Sequence, residues 1–213
     1  SGEAPQLQSA PTLNSATVDT TLGSKVTLSL SAPSILGTPS VNAFLNYQYS
    51  IDGGNTWRST ADTSTTIVVT GLTNGTSYSL KVRVVNAAGA GASSGSLSAT
   101  PRKKPEVVTS VGLTAGSSRL VVVFTPPTDN GGSTLTYKYK IRKSDGSYGS
   151  DWQSISSLSD SGTAKTFTIT KDASNNNIAN GTTYFVKIKG TNTWFDSDES
   201  SEVSINATVA QVP

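Results

Sequence analysis

Cysteine, histidine and methionine are all missing from this chain of 213 residues. Without cysteine there is no disulfide framework. Without cysteine and histidine the usual zinc and copper sites cannot form, and neither can Ser-His-Asp or Cys-His catalytic groups. Charge is scarce as well. Charged residues are 14% of the chain, 16 basic against 14 acidic, for a formal net charge of +2. So even a balance implies no strong field towards nucleic acid or an anionic membrane. The one basic run, Arg102-Lys103-Lys104, lies beside prolines and reads as a solvated linker. Aromatic residues are only 7%, and they are read as not interleaving with basic ones as on a nucleic-acid platform. No apolar run approaches the roughly 20 residues of a membrane helix, so membrane insertion is not expected.

Helical periodicity is absent too. Short alternating runs bounded by Gly, Asn, Pro and Ser take its place. Val26, Leu28 and Leu30 alternate with polar residues, as do Tyr47, Tyr49 and Ile51, and then Tyr78, Leu80, Val82 and Val84. Each run puts one face on a core and the other in water. The second half repeats the order with Leu120, Val122, Phe124, then Tyr137, Tyr139, Ile141, then Tyr184, Val186, Ile188. The most specific echo is L-T-N-G-T-S-Y at 72–78 against I-A-N-G-T-T-Y at 178–184. A repeat of this length is a domain, not a solenoid unit.

Leu72-x-Asn74-Gly75-Thr76-x-Tyr78, the alternating strand after it and Asn86-Ala-Ala-Gly89-Ala-Gly91 resemble the end of a bacterial-type fibronectin type III domain. Phe124-Thr-Pro-Pro-Thr-Asp-Asn-Gly-Gly resembles the same module in the second half. Where that family usually has Trp, this chain has Leu30 and Phe124, both apolar. The resemblance implies an all-β protein: two tandem immunoglobulin-like sandwiches of about seven strands each. The domains are expected at 5–101 and 105–211, joined by a semi-rigid linker at 102–104. The resemblance also implies tyrosine corners at Tyr78 and Tyr184, the hydroxyl bonding back to the upstream backbone.

Three stretches are candidates for chemistry. Ser50-Ile-Asp52-Gly53-Gly54-Asn55-Thr56-Trp57 fits the Asp-box, S-x-D-x-G-x-T-W, of sialidase propellers. Catalysis in that family needs an arginine cluster, and the five arginines here are scattered over both halves. Asp-Gly-Gly-Asn is also strong hairpin chemistry, and Ser144–Trp152 is its longer counterpart, again with a Trp. The box is therefore read as a turn. Secondly, Trp194 and Phe195 replace small residues in the F–G loop of the second domain. With Trp57 they form either an interdomain joint or a surface for a protein or glycan partner. Thirdly, Asp196, Asp198 and Glu199 have the oxygen chemistry for calcium, with a solvated acidic rim as the alternative. No other cofactor is expected. The second half also carries an insertion before its corner tyrosine, K-D-A-S-N-N-N-I at 171–178, which reads as a surface turn.

Together these readings predict a non-enzymatic module that spaces and presents binding surfaces. The high Ser, Thr, Asn and Gly content points to an extracellular, cell-surface or virion-surface setting. The alternative is an accessory module, carbohydrate-binding or spacing, of a secreted polysaccharide-degrading enzyme. The expected partner is a protein or a cell-surface glycan, not nucleic acid; the sequence leaves the oligomeric state open.

Overall fold

The computed structural model describes residues 2–207, so positions 208–211 of the expected second domain lie outside the described residues. The chain divides into two compact units, Ser1–Lys103 and Lys104–Pro213.

The first unit packs a three-stranded sheet on a five-stranded one. Strands β1 (Thr12–Val18), β2 (Val26–Ser31) and β5 (Thr66–Val69) form the smaller sheet in the order β1-β2-β5. Strands β4 (Arg58–Ser59), β3 (Asn46–Ser50), β6 (Tyr78–Asn86) and β7 (Gly89–Ser93) form the larger, with β8 (Leu97–Ala99) also paired to β6. Alternation explains the layers. In β2, Val26, Leu28 and Leu30 are buried while Thr27 and Ser29 face out. In β6, Leu80, Val82 and Val84 do the same opposite them. Each such side chain contributes about 1.5–3 kcal/mol by leaving water.

A one-turn helix, α1 (Pro39–Asn42), sits in the β2–β3 connection. Its Asn42 is fully buried, and its Oδ1 accepts the Gln6 N–H at 2.6 Å. Buried Gln8 accepts the Leu36 N–H at 2.8 Å, and Asn86 donates to the Gln6 carbonyl at 2.7 Å. These amides tie residues 6–8 down against β7, where Gly91 lets the backbones meet: a Cβ there would lie 2.4 Å from the Gln8 carbonyl oxygen.

The second unit has two four-stranded sheets. One runs β13 (Ser159–Ser161), β14 (Ala164–Ile169), β10 (Arg119–Thr125), β9 (Thr109–Gly116). The other runs β12 (Gln153–Ser154), β11 (Thr136–Lys143), β15 (Thr183–Thr191), β16 (Val203–Asn206). Its core is more aromatic. Phe124 lies 4.8 Å from Tyr137 and 6.2 Å from Phe167 between ring centres. Leu30 and Phe124, standing where the family usually has Trp, are both buried. Among the described residues each unit has eight strands, in keeping with sandwiches of about seven, and β4 and β12 are short edge strands on β3 and β11.

In each unit the connection before the longest strand is closed by a tyrosine. The Tyr78 hydroxyl accepts the Thr73 N–H, and the Tyr184 hydroxyl accepts the Ala179 N–H, each at 2.9 Å. Asn-Gly makes the turn between, with Gly75 and Gly181 at φ of 82° and 77°.

Candidate functional site

The S-x-D-x-G-x-T-W stretch is the turn from β3 to β4, and the motif residues hold one another. Asp52 accepts from the Ser50 hydroxyl at 2.7 Å, from the Thr56 N–H at 2.9 Å and from the Thr56 hydroxyl at 2.6 Å. Ser50, itself buried, accepts the Gly54 N–H at 2.8 Å. Gly53 and Gly54 supply positive φ of 75° and 101°. The Ser50 and Thr56 bonds hold the Asp52 carboxyl far below the ordinary carboxylate range. Its oxygens are thereby engaged inside the turn.

Trp57 closes this turn. Its indole N–H donates to the Gly54 carbonyl at 3.0 Å, and its ring lies under the Arg83 guanidinium, 4.1 Å from the centre. Arg83 also donates to Gln48 at 2.7 Å, its cross-strand partner between β6 and β3. The longer counterpart in the second unit keeps the arrangement. Trp152 lies beneath two ammonium groups, Lys189 at 4.4 Å and Lys140 at 5.1 Å from its ring centre. Arg83 and Lys189 occupy the same place, five residues after the corner tyrosine.

Around Trp152 the outer face of the β12-β11-β15-β16 sheet is basic and aromatic. Lys138 pairs with Lys189, Lys140 with Lys187 and Arg142 with Phe185 across β11 and β15. These six alternate with the buried Tyr137, Ile141, Tyr184, Val186 and Ile188, so they point away from the core. Arg142 stacks 3.9 Å from the Phe185 ring centre and 5.3 Å from that of Tyr148. Aromatic and basic residues therefore interleave on this face, contrary to the reading of the sequence: Tyr137-Lys138-Tyr139-Lys140 alternate along β11, and the fold brings Trp152, Tyr148 and Phe185 to the cations.

The F–G loop between β15 and β16 is internally bonded. Buried Asn192 accepts the N–H groups of Trp194 at 2.9 Å and Phe195 at 2.8 Å, and donates to the Asn130 carbonyl at 3.0 Å. Trp194 and Phe195 are half-buried in the second unit, and Trp57 belongs to the first. The three acids go to three different lysines. Asp196 meets Lys189 at 2.5 Å, Asp198 meets Lys104 at 2.8 Å and Glu199 meets Lys187 at 3.0 Å. Burial alone would raise the Asp196 pKa, but Lys189 and the Thr191 hydroxyl outweigh it and lower it. Among the described residues no three acidic side chains gather into a cation site. Asp196 and Glu199 thus pair with lysines of the basic face, as does Glu202 with its arginine, gripping Arg142 at 2.9 and 3.3 Å.

The 171–178 insertion is organised by Asp172, buried and accepting the Ser174 and Asn176 N–H groups at 2.9 Å. Lys143 lies 3.0 Å from its second oxygen. Burial pushes this carboxyl up, yet Lys143 and the two N–H groups prevail and hold it below its ordinary value. Sequence reasoning passed over Lys143, Lys140 and Lys189; a signal was present in the alternation of Lys and Arg with apolar residues along both strands.

Comparison with known proteins bears on the first unit above all. Residues 9–100 match the family model of the fibronectin type III domain. A relative described as "Titin homolog", from Caenorhabditis elegans, is 35% identical over 102 residues, or 48% of this chain. That match spans 0% of the relative's length to the nearest per cent, so the chain corresponds to a very small part of it. A crystal structure of chicken CNTN1 FN1–FN3 domains is 15% identical, with a TM-score of 0.44, covering 98% of this chain and 70% of that one.

Proposed function

We propose, for a chain whose residues 9–100 belong to the fibronectin type III family, a non-enzymatic role as an extracellular or virion-surface module that spaces and presents binding surfaces. The kind of protein is a general structural and adhesion module. The carrying observation is that each unit has its own core and its own tyrosine corner, so each resists unfolding by itself. The Asp-box fits this role, since its carboxylate is engaged in holding a turn.

Stretching the chain by single-molecule force spectroscopy tests the reading. Two separate rupture events are expected, each releasing about 300 Å for roughly 90 residues at about 3.5 Å per residue. A single merged event, or extension without resistance, defeats the spacer role. The proposed location is tested by protease or antibody access on intact cells or particles that carry the protein. A second reading, an accessory module of a polysaccharide-degrading enzyme, draws on the aromatic and cationic face of the second unit; a catalytic domain in the same polypeptide would favour it.

A further inference from the structure

We infer that the outer face of the β12-β11-β15-β16 sheet is a binding surface for an acidic polysaccharide, a chain of sugar rings bearing carboxylates. Five cations (Lys138, Lys140, Arg142, Lys187, Lys189) share the face with the carboxylates of Asp196, Glu199 and Glu202, and Asp151 lines a depression beside Lys140. Lys140 has no carboxylate within ion-pair distance among the described residues; its ammonium rests on Trp152. The surplus is positive and centred on an aromatic ring.

The first unit builds the same sheet with Gln48, Ser50, Asp52 and Ser79 where the second has Lys138, Lys140, Arg142 and Phe185. The fold therefore does not require these cations and this ring; they alter the outer face and leave the core alternation untouched. Outward residues on one strand stand about 7 Å apart, so β11 offers a row of cations along its length.

Sugar rings have apolar faces that pack against aromatic side chains, and Trp152 is the half-buried ring at the centre of this face. A nucleic acid would place a phosphate at every nucleotide, and those would meet the three interspersed carboxylates. A polysaccharide with one carboxylate per repeating pair of sugars matches the sparse surplus better. This surface does not depend on the spacer role: force resistance and ligand binding are separate measurements.

The test is titration of the full chain with a hyaluronan octasaccharide at low salt, followed by indole fluorescence and calorimetry. Binding is expected, weakening as salt screens it. The double substitution Lys138→Gln/Lys140→Gln should weaken it about tenfold, the equivalent of about 1.4 kcal/mol. Trp152→Ala should lower affinity and Trp152→Phe should restore most of it. Arg119→Gln, on β10 of the other sheet, makes a single charge change and should have no effect. Four results would each overturn the inference: no hyaluronan binding; equal binding of neutral dextran; tighter binding of a single-stranded oligothymidylate; or a loss in Arg119→Gln as large as in the double variant.

Discussion

The two tyrosine corners should differ in strength, and the difference can be worked from their surroundings. Tyr184 is fully buried, and its hydroxyl accepts the Ala179 N–H at 2.9 Å. Tyr184→Phe keeps the ring, so packing survives and only the acceptor disappears. A shielded N–H left without a partner costs about 1–3 kcal/mol. Tyr78 makes the same bond to Thr73 at the same length, but its side chain is half-exposed and the bond lies at the surface. Water can replace that hydroxyl, so Tyr78→Phe should cost only about 0.5–1 kcal/mol. For domains of about 100 residues, 1 kcal/mol moves the midpoint by about 4–8 °C. Scanning calorimetry of the whole chain should therefore show the second unit's transition falling by about 5–20 °C in Tyr184→Phe. Tyr78→Phe should move the first unit's transition by less than about 8 °C. Equal shifts, or a Tyr184→Phe transition that stays in place, would refute the reasoning from burial.

Three further outcomes follow from other parts of the molecule. Lys143→Gln strips buried Asp172 of its ammonium and should destabilise the second unit; because the lysine side chain is 40% exposed, water screens the loss, which should stay well below that of a fully buried pair. The Asp172 pKa is depressed on folding, so the pair stabilises above the ordinary value of 3.8 and fades as pH falls through the lower folded value. Urea titrations of wild type and variant should thus converge in that acid window, and a gap that widens on acidification would contradict the pairing. Asp52→Ala should leave the fold intact but accelerate hydrogen exchange at Thr56. In the wild type that protection should persist well below pH 3.8, because the carboxyl pKa is depressed; its loss near the ordinary carboxylate pKa would exclude the bond pattern. Gly91→Ala should cost about 1–3 kcal/mol by overpacking against Gln8, seen as a lower first transition and faster exchange of the Ala92 amide, which donates to the Gln8 carbonyl at 3.1 Å.

The strands were legible because their signal is local. Alternation at Val26–Leu30 and Tyr78–Val84 is a two-residue pattern, and the core it predicts is the one found. The duplicated Asn-Gly-Thr-x-Tyr marked both halves for the same reason. The Asp-box was legible as a turn because Gly-Gly and Asp have strong local preferences. What the sequence hid was lateral. The pairing of Lys138 with Lys189, and of Trp152 with both Lys140 and Lys189, depends on register between strands some 50 residues apart. Similarly, Asp196, Asp198 and Glu199 look like a cluster in the linear chain. In the loop their side chains separate towards Lys189, Lys104 and Lys187, because each carboxylate finds a different ammonium nearby. Short edge strands β4 and β12, at two residues each, were announced by the hairpin chemistry before them rather than by periodicity.

The paired Asn-Gly turns have a consequence for chemical ageing. Deamidation at Asn-Gly begins when the glycine nitrogen attacks the preceding side-chain carbonyl to close a succinimide ring. In the first unit that carbonyl oxygen accepts the Ser24 N–H at 2.7 Å, and the Gly75 nitrogen donates to the Pro101 carbonyl at 2.8 Å, so both reacting groups are held. In the second unit the Gly181 nitrogen is held by the Ala207 carbonyl at 2.5 Å, but the Asn180 side chain is exposed. These identical dipeptides thus have unequal lifetimes: of the two turns, Asn180-Gly181 should gain its new carboxylate before Asn74-Gly75.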